Sequence, residues 1–574
     1  MYNVSRVVLK LRSVSALANR LFFCACIAAL VSGQSAQQPD PSQDRRPITG
    51  ANEREEGIPV TDPLVIAKCG GCHARDERGN MQRISWERTT PEGWQDALKQ
   101  MILVHGLSVT TSEARAIVKY LSASHGLAPE EAEPVLYDVE RRVHEETGIP
   151  TDSLRETCAK CHSFARPLSW RRSTAEWKEF ADSHAVRYKI GSIDEAVTFL
   201  STTAKLHTPA WDAWSSRSLT PSLAGAWVVS AYMPGRGQYY GELQINRDAD
   251  DEYSTQVTLT SVRNGSRITR SGRTTIFGGA GWRGRSKGGG ANATPDDPSS
   301  EAREVLLIAP NQTRANGRWF WGQYQEFGFD VTLQRASSDL TLIGIDRSSL
   351  KTGSRGNRIR LIGVNFPAGI TVKDLSFGPG VSVRNVTSSS PREIVTELDV
   401  AADAAPGKRD VVFRKSVLPA AVAIYDRIDY IKVVPDSTVA AFGDDTHAKG
   451  YEQFEAIGYH RGPDGKSHTA DDIALGPVDV TWAIEVFHAA EAGKSDSVGA
   501  MSPLGLFTPA NENPKLNFDV WVIATTKDEK NQNGEPMVGK SYMVLTVPTY
   551  TFNGRQYVRD LDRWVDDGPA PVRQ

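Results

Sequence analysis

Cysteine is scarce in this chain. Six occur in 574 residues, and Cys24 and Cys26 lie in an N-terminal apolar run, which leaves Cys69, Cys72, Cys158 and Cys161 beyond it. Those four form two close pairs, so no wider disulfide framework is available. Long hydrophobic stretches are also missing: the run "LFFCACIAALV" has 11 residues, against the roughly 20 that a membrane-spanning helix needs, and no later segment is longer or more apolar. Neither sign of charge dominates; a formal net charge of -3 gives no reason to expect nucleic acid as a partner. The glycine-rich stretch Gly278–Ser300 lacks Gly-Lys-Ser/Thr and follows no strand-to-helix pattern, which excludes a phosphate loop and leaves a flexible hairpin loop as the expectation.

What is present begins with a targeting segment. Lys10, Arg12 and Arg20 precede the apolar run and small residues follow it, so residues 1–36 read as a secretory signal peptide cleaved near Ala36. The expectation is a periplasmic protein with no membrane span in its mature part. With 40% hydrophobic and 24% charged residues the remainder is ordinary globular sequence, long enough for three to five domains at roughly 100–200 residues each.

The two cysteine pairs are both C-x-x-C-H, "CGGCH" at 69–73 and "CAKCH" at 158–162. A thioredoxin-like dithiol would not require a histidine after each pair, and a four-cysteine zinc site would leave both histidines surplus. Covalent haem c uses every residue: Cys69 with Cys72, and Cys158 with Cys161, bond the haem vinyl groups, while His73 and His162 place an imidazole under each iron.

An internal repeat suggests the second axial ligands. "ISWERTTPEGWQDALKQM" after the first motif resembles "LSWRRSTAEWKEFADSH" after the second, aligning Ser85 with Ser169, Trp86 with Trp170 and Trp94 with Trp177. Seven residues beyond the last tryptophans stand Met101 and His184, each in a predicted helix, 91–104 and 174–185. His105 competes with Met101, and His207 with His184. The four tryptophans read as core around the haems, and His125 and His144 as solvated residues in or beside an acidic linker.

After Pro209 the pattern changes to short alternating segments separated by Gly, Pro, Asn and Asp. The expected architecture is multidomain, α plus all-β. Residues 50–215 form an α-helical dihaem cytochrome c domain of two tandem units, 216–347 a β-barrel, and 348–430 and 431–574 two immunoglobulin-like β-sandwiches. The loop "GPDGKSHTADDIALG" holds Asp464, Asp471 and Asp472 without EF-hand spacing, and reads as turn chemistry with calcium binding as the alternative.

The haem motifs, the "SWxR…W" repeat and the C-terminal block "FEAIGYHRGPDGKSHTADDIALG…WAIE…GLFTPA" together resemble the alpha subunit of quinohaemoprotein amine dehydrogenase along nearly the whole mature chain. The resemblance implies a haem subunit that works with a propeller beta subunit and a small gamma subunit carrying cysteine tryptophylquinone, which oxidises primary amines. Electrons would pass from that quinone through the two haems to a soluble acceptor, a copper protein or a cytochrome c. The glycine-rich stretch departs from the family. This chain has no spare cysteine for a thioether to tryptophan and no evident base-and-nucleophile set, so no catalytic residue is assigned to it. A dihaem cytochrome c peroxidase would need one haem with a releasable distal position, whereas both repeats offer a ligand. A haem-bearing adhesion or scaffold protein would explain the sandwiches but not two differently ligated haems.

Overall fold

The computed structural model describes residues 55–136, 148–159, 162–217, 221–290, 294–336, 339–445, 447–487, 495–512, 516–531 and 533–547. The expected signal peptide, His144 and Cys161 lie outside the described residues.

Local signals set the helices of the first region. Helix α1 (Pro63–Cys69) starts where Asp62 accepts the Val65 amide at 2.9 Å and Pro63 occupies the first turn. Thr90 caps α2 (Pro91–His105), which ends at Gly106 in the left-handed region, φ 71°. A reciprocal Thr110/Glu113 box opens α3 (Thr111–Ser124). Short helices α4 (Pro129–Ala132), α5 (Asp152–Leu154) and α6 (Ala165–Leu168) lead to α7 (Thr174–Tyr188), capped by Ser173, then α8 (Asp194–Thr203) and α9 (Pro209–Ser215). The two repeats meet through a two-stranded antiparallel ribbon, β1 (Glu87–Thr89) against β2 (Trp170–Arg172), with Glu87 opposite Arg172.

Eight strands follow in a closed up-and-down barrel: β3 (Gly225–Met233), β4 (Gly237–Arg247), β5 (Glu252–Ser261), β6 (Arg267–Phe277), β7 (Gly281–Gly288), β8 (Ala302–Ile308), β9 (Arg314–Trp321) and β10 (Phe327–Arg335). Pairing of β10 with β3 closes it. Its core includes Trp227, Tyr239, Tyr253, Trp282, Trp319 and Phe329, large rings that fill a barrel of this strand number.

One expectation fails here. The stretch Gly278–Ser300 is not simply a flexible loop, because Gly281–Gly288 is the barrel strand β7, paired with β6 and β8. Its glycines hide the alternation that marks a strand, and they are needed: a Cβ at Gly284 would lie 2.7 Å from the Arg273 carbonyl oxygen. Thr341–Ile345, grouped with the barrel in the sequence reading, pairs instead with Asn357–Val364 of the next region.

That region has two four-stranded sheets around one core containing Ile359, Leu361, Phe377, Leu398 and Phe413. The last has one four-stranded and two three-stranded sheets around Val433, Phe442, Phe454, Val520 and Val522. In its aspartate loop, Asp471 accepts the Asp464 amide, and Asp472 takes the Gly462 and Thr469 amides and the Tyr430 hydroxyl. Turn bonds engage these carboxylates, and no group of three or more His, Cys, Asp or Glu among the described residues could hold a metal ion.

The barrel grips the first repeat directly. Glu92 of α2, buried, pairs with Arg283 of β7 and with Arg303 of β8, the latter at 2.9 Å. Lys119 of α3 reaches Asp251 and Glu252 at 2.7 and 3.0 Å, and Phe277 packs into the helical core beside Trp94 and Leu98. Buried pairs of this kind give a joint its register rather than a large net stability.

Candidate functional site

Cys69, Cys72 and His73 sit on the last turn of α1 and the turn after it, where the Cys72 and His73 amides both donate to the Cys69 carbonyl. The thiols of Cys69 and Cys158 are pushed up to about 11 by burial, with the neighbouring Cys72 adding to the effect at Cys69. The reactive thiol of a redox dithiol has a depressed value, so Cys69 and Cys158 do not have the electrostatics of a disulfide oxidoreductase. Cys69, Cys72 and Cys158 are free of disulfides.

Each motif histidine donates Nδ1–H to a backbone carbonyl, His73 to Gln82 at 2.9 Å and His162 to Ser163 at 3.0 Å, and Nε2 of neither ring bonds a described residue. Burial holds both imidazoles below their ordinary value, and therefore neutral, which is the form that ligates a metal.

The helix that follows the second motif brings its candidate distal residue in. On α7, His184 stands with its ring centroid 6.3 Å from that of His162, and Phe180 stacks on it at 5.3 Å and 27°. A metal–imidazole bond is about 2.0–2.1 Å long, so two rings bound to opposite sides of one iron have centroids roughly 6.3 Å apart. The His162–His184 spacing fits a haem iron. Met101 occupies the matching place on α2, part-buried, while its neighbour Ile102 packs on the helical core. His105 is exposed at the end of α2, within electrostatic reach of His73. His207 is elsewhere: its Nε2–H donates to the Glu56 carbonyl, and its ring lies against Trp211.

The repeat is visible in the bonding. Trp94 and Trp177 each donate their indole N–H to the carbonyl of the residue that ends the next helix, His125 at 2.9 Å and Ala204 at 2.8 Å. Trp86, Trp94 and Trp177 are buried and Trp170 partly so, with Trp170 packed against Trp94 at 6.0 Å between the repeats.

Two features were missed in the sequence. His125, expected in solvent, is fully buried, its Nε2 facing the Ile58 carbonyl at 3.1 Å and its Nδ1 the Ser124 hydroxyl at 2.8 Å. The arginines of "SWxR", given no role, are buried hubs. Arg88 holds Glu131 through two nitrogens and also donates to the Leu206 and Gly126 carbonyls; Arg172 pairs with Glu87. The signal was their recurrence in both repeats, but their carboxylate partners lie at unrelated spacings.

Burial lowers His125 from 6.5 to about 4. The unfolded chain takes up this proton near pH 6.5 and the folded chain only near pH 4, so the stability is present above pH 6.5 and is lost as pH falls toward 4. Between pH 7 and 4.5 this residue should cost the helical region about 2–3 kcal/mol, and His125→Gln should flatten that slope when denaturant midpoints are compared at the two pH values.

Four family models match the chain in order. They are described as quinohemoprotein amine dehydrogenase A, alpha subunit, haem binding (residues 60–194), and domain II (220–336), domain III (339–426) and domain IV (431–555) of the same subunit. The chain belongs to the quinohemoprotein amine dehydrogenase alpha-subunit family. Membership carries a haem-binding domain and a place in an amine-oxidising oxidoreductase. No curated protein matches the chain. Among solved structures, a redesigned β-barrel is 15% identical, covering 20% of this chain and 92% of its own, with a TM-score of 0.17. The tandem immunoglobulin repeats of Dlar are 10% identical over 36% and 94%, TM-score 0.11. The adhesin FdeC of Escherichia coli is 13% identical over 58% and 99%, TM-score 0.14. At such scores these likenesses carry no argument.

Proposed function

We propose that this chain is the dihaem electron-transfer subunit of a periplasmic amine dehydrogenase, taking electrons from a tryptophylquinone on a partner subunit and passing them to a soluble acceptor. The observation that carries the reading is the His162–His184 pair, spaced at 6.3 Å and backed by the Nδ1 hydrogen bond of His162. Haem c supplies one-electron redox chemistry at its iron. Cys69 and Cys72 would hold one haem, with His73 and Met101 as axial ligands; Cys158 and Cys161 would hold the other, with His162 and His184. The protein's own part is to fix these ligands. Gln82 and Ser163 orient the proximal rings, and Phe180 and Tyr188 pack the His184 ring.

The downstream regions suit assembly with a propeller beta subunit and a quinone-bearing gamma subunit. Two four-stranded sheets around one core support an immunoglobulin-like sandwich in the region before the last, the three sheets around the last core support a second, and residues 1–36 support export. No described helix is long and apolar enough to cross a membrane. Substrate chemistry is assigned to the partner.

The test is direct. Mass spectrometry of protein matured in a periplasm should show two haem adducts that survive acid-acetone extraction, and one after replacement of Cys158 and Cys161 by serine. Fewer than two adducts on the native protein would refute the reading.

A further inference from the structure

The ribbon joining the two repeats carries a buried ion pair whose ends lie toward different sites. Arg172 Nε donates to Glu87 Oε1 at 3.1 Å, with side chains only 6% and 11% exposed. The guanidinium rests against three rings, 4.2 Å from the Trp170 centroid, 4.5 Å from Phe180 and 4.9 Å from Trp177. Phe180 in turn stacks on His184, so the cation stands one ring away from that imidazole. The carboxylate belongs to the other site. Glu87 follows the turn Ile84–Trp86, whose first amide shares the Gln82 carbonyl with His73.

Other charges surround the pair. Arg83, 43% exposed, pairs with the carboxylates of Glu176 and Glu179 at 3.8 and 3.9 Å, and Arg166 and Arg187 bear on His184. Arg83 is open to solvent and engaged by two carboxylates. The Glu87–Arg172 pair is closed off, so its field is the less screened.

We propose that Glu87 and Arg172 are positioning residues that narrow the difference in reduction potential between the two haem sites. A buried cation favours the less positive, reduced iron and raises the potential at His162 and His184; a buried anion favours the oxidised iron and lowers it at His73. Ligand type acts in the opposite sense, since a Met101 thioether raises the first site and a second imidazole lowers the other. The pair thus brings the two sites closer to isopotential, which lets an electron distribute between them. The inference rests on the dihaem reading, and failure of that reading would appear as a missing haem adduct in the unmodified protein.

Spectropotentiometric titration of the whole, haem-loaded protein tests it. In Glu87→Gln, which keeps the shape and an acceptor for Arg172, both potentials should rise, the His73 site more. In Glu87→Gln/Arg172→Gln the His73 site should rise and the His184 site fall, changing the equilibrium constant for electron exchange between them by roughly fivefold to tenfold per site. A purely structural pair would alter melting without separating the two potentials. Unmoved potentials in the double variant, or shifts of both in one direction, would overturn the proposal.

Discussion

Arg88→Ala should destabilise the helical region by about 3–5 kcal/mol, the cost of leaving a buried carboxylate without its partner. Arg88 is fully buried and spends its guanidinium on four acceptors: the Leu206 and Gly126 carbonyls and both oxygens of Glu131, at 2.6 to 3.0 Å. Burial alone would raise the Glu131 carboxyl, yet the hydrogen bonds and charge of Arg88, with Arg171 nearby, hold it below the usual range. That carboxylate also takes the Ala128 amide and the Thr208 hydroxyl, tying α4 and α9 to β1. Arg88 lies over Trp211 at 4.7 Å as well. Arg88→Lys should recover only part of the loss, because an ammonium cannot reproduce the two-pronged contact. Denaturant unfolding of the three proteins, followed by tryptophan fluorescence, measures this; a loss under about 1 kcal/mol for the alanine variant would show that Glu131 finds water instead.

Met101→His should lower the potential of one haem and leave the other nearly in place. Thioether is a weaker donor than imidazole and stabilises Fe(II), so exchanging it removes that preference. The expected drop is on the order of 100 mV or more, a modest part of the about 0.8 V that axial ligands span. Reduction of an external acceptor should slow, with quinone reduction by amine unchanged. His105→Ala, one turn further at the exposed end of α2, should leave both potentials where they were. If Met101→His moves neither potential while His105→Ala moves one, His105 is the ligand. An order of flow that enters at the His162/His184 site and leaves from the His73/Met101 site, resting on the higher potential a thioether gives, would then lose its basis.

Much of the helical region was legible because its signals are local. Thr90 and Ser173 cap the two repeat helices, observed at Pro91–His105 and Thr174–Tyr188 against predicted spans of 91–104 and 174–185. The aligned tryptophans announced the repeat, and their indoles make equivalent bonds. Strand β7 was illegible because a strand rich in glycine loses the side-chain alternation by which strands are read, and only its neighbours β6 and β8 make it a strand. Thr341–Ile345 reads as a strand anywhere; its pairing with Asn357–Val364 assigns it to a sheet.

By itself, then, the sequence determined the chemistry offered: two C-x-x-C-H motifs, two ligand-type residues at repeat positions, and a family shared along the chain. These are facts of residue type and short spacing, which survive without a fold. The tertiary structure decided which charges face which site. Glu87 meets Arg172 and Arg88 meets Glu131 across ribbons and loops far apart in sequence, and His125 is driven to neutrality by what packs over it. Desolvation and through-space charge depend on the three-dimensional neighbours of a group, and no one-dimensional spacing encodes them.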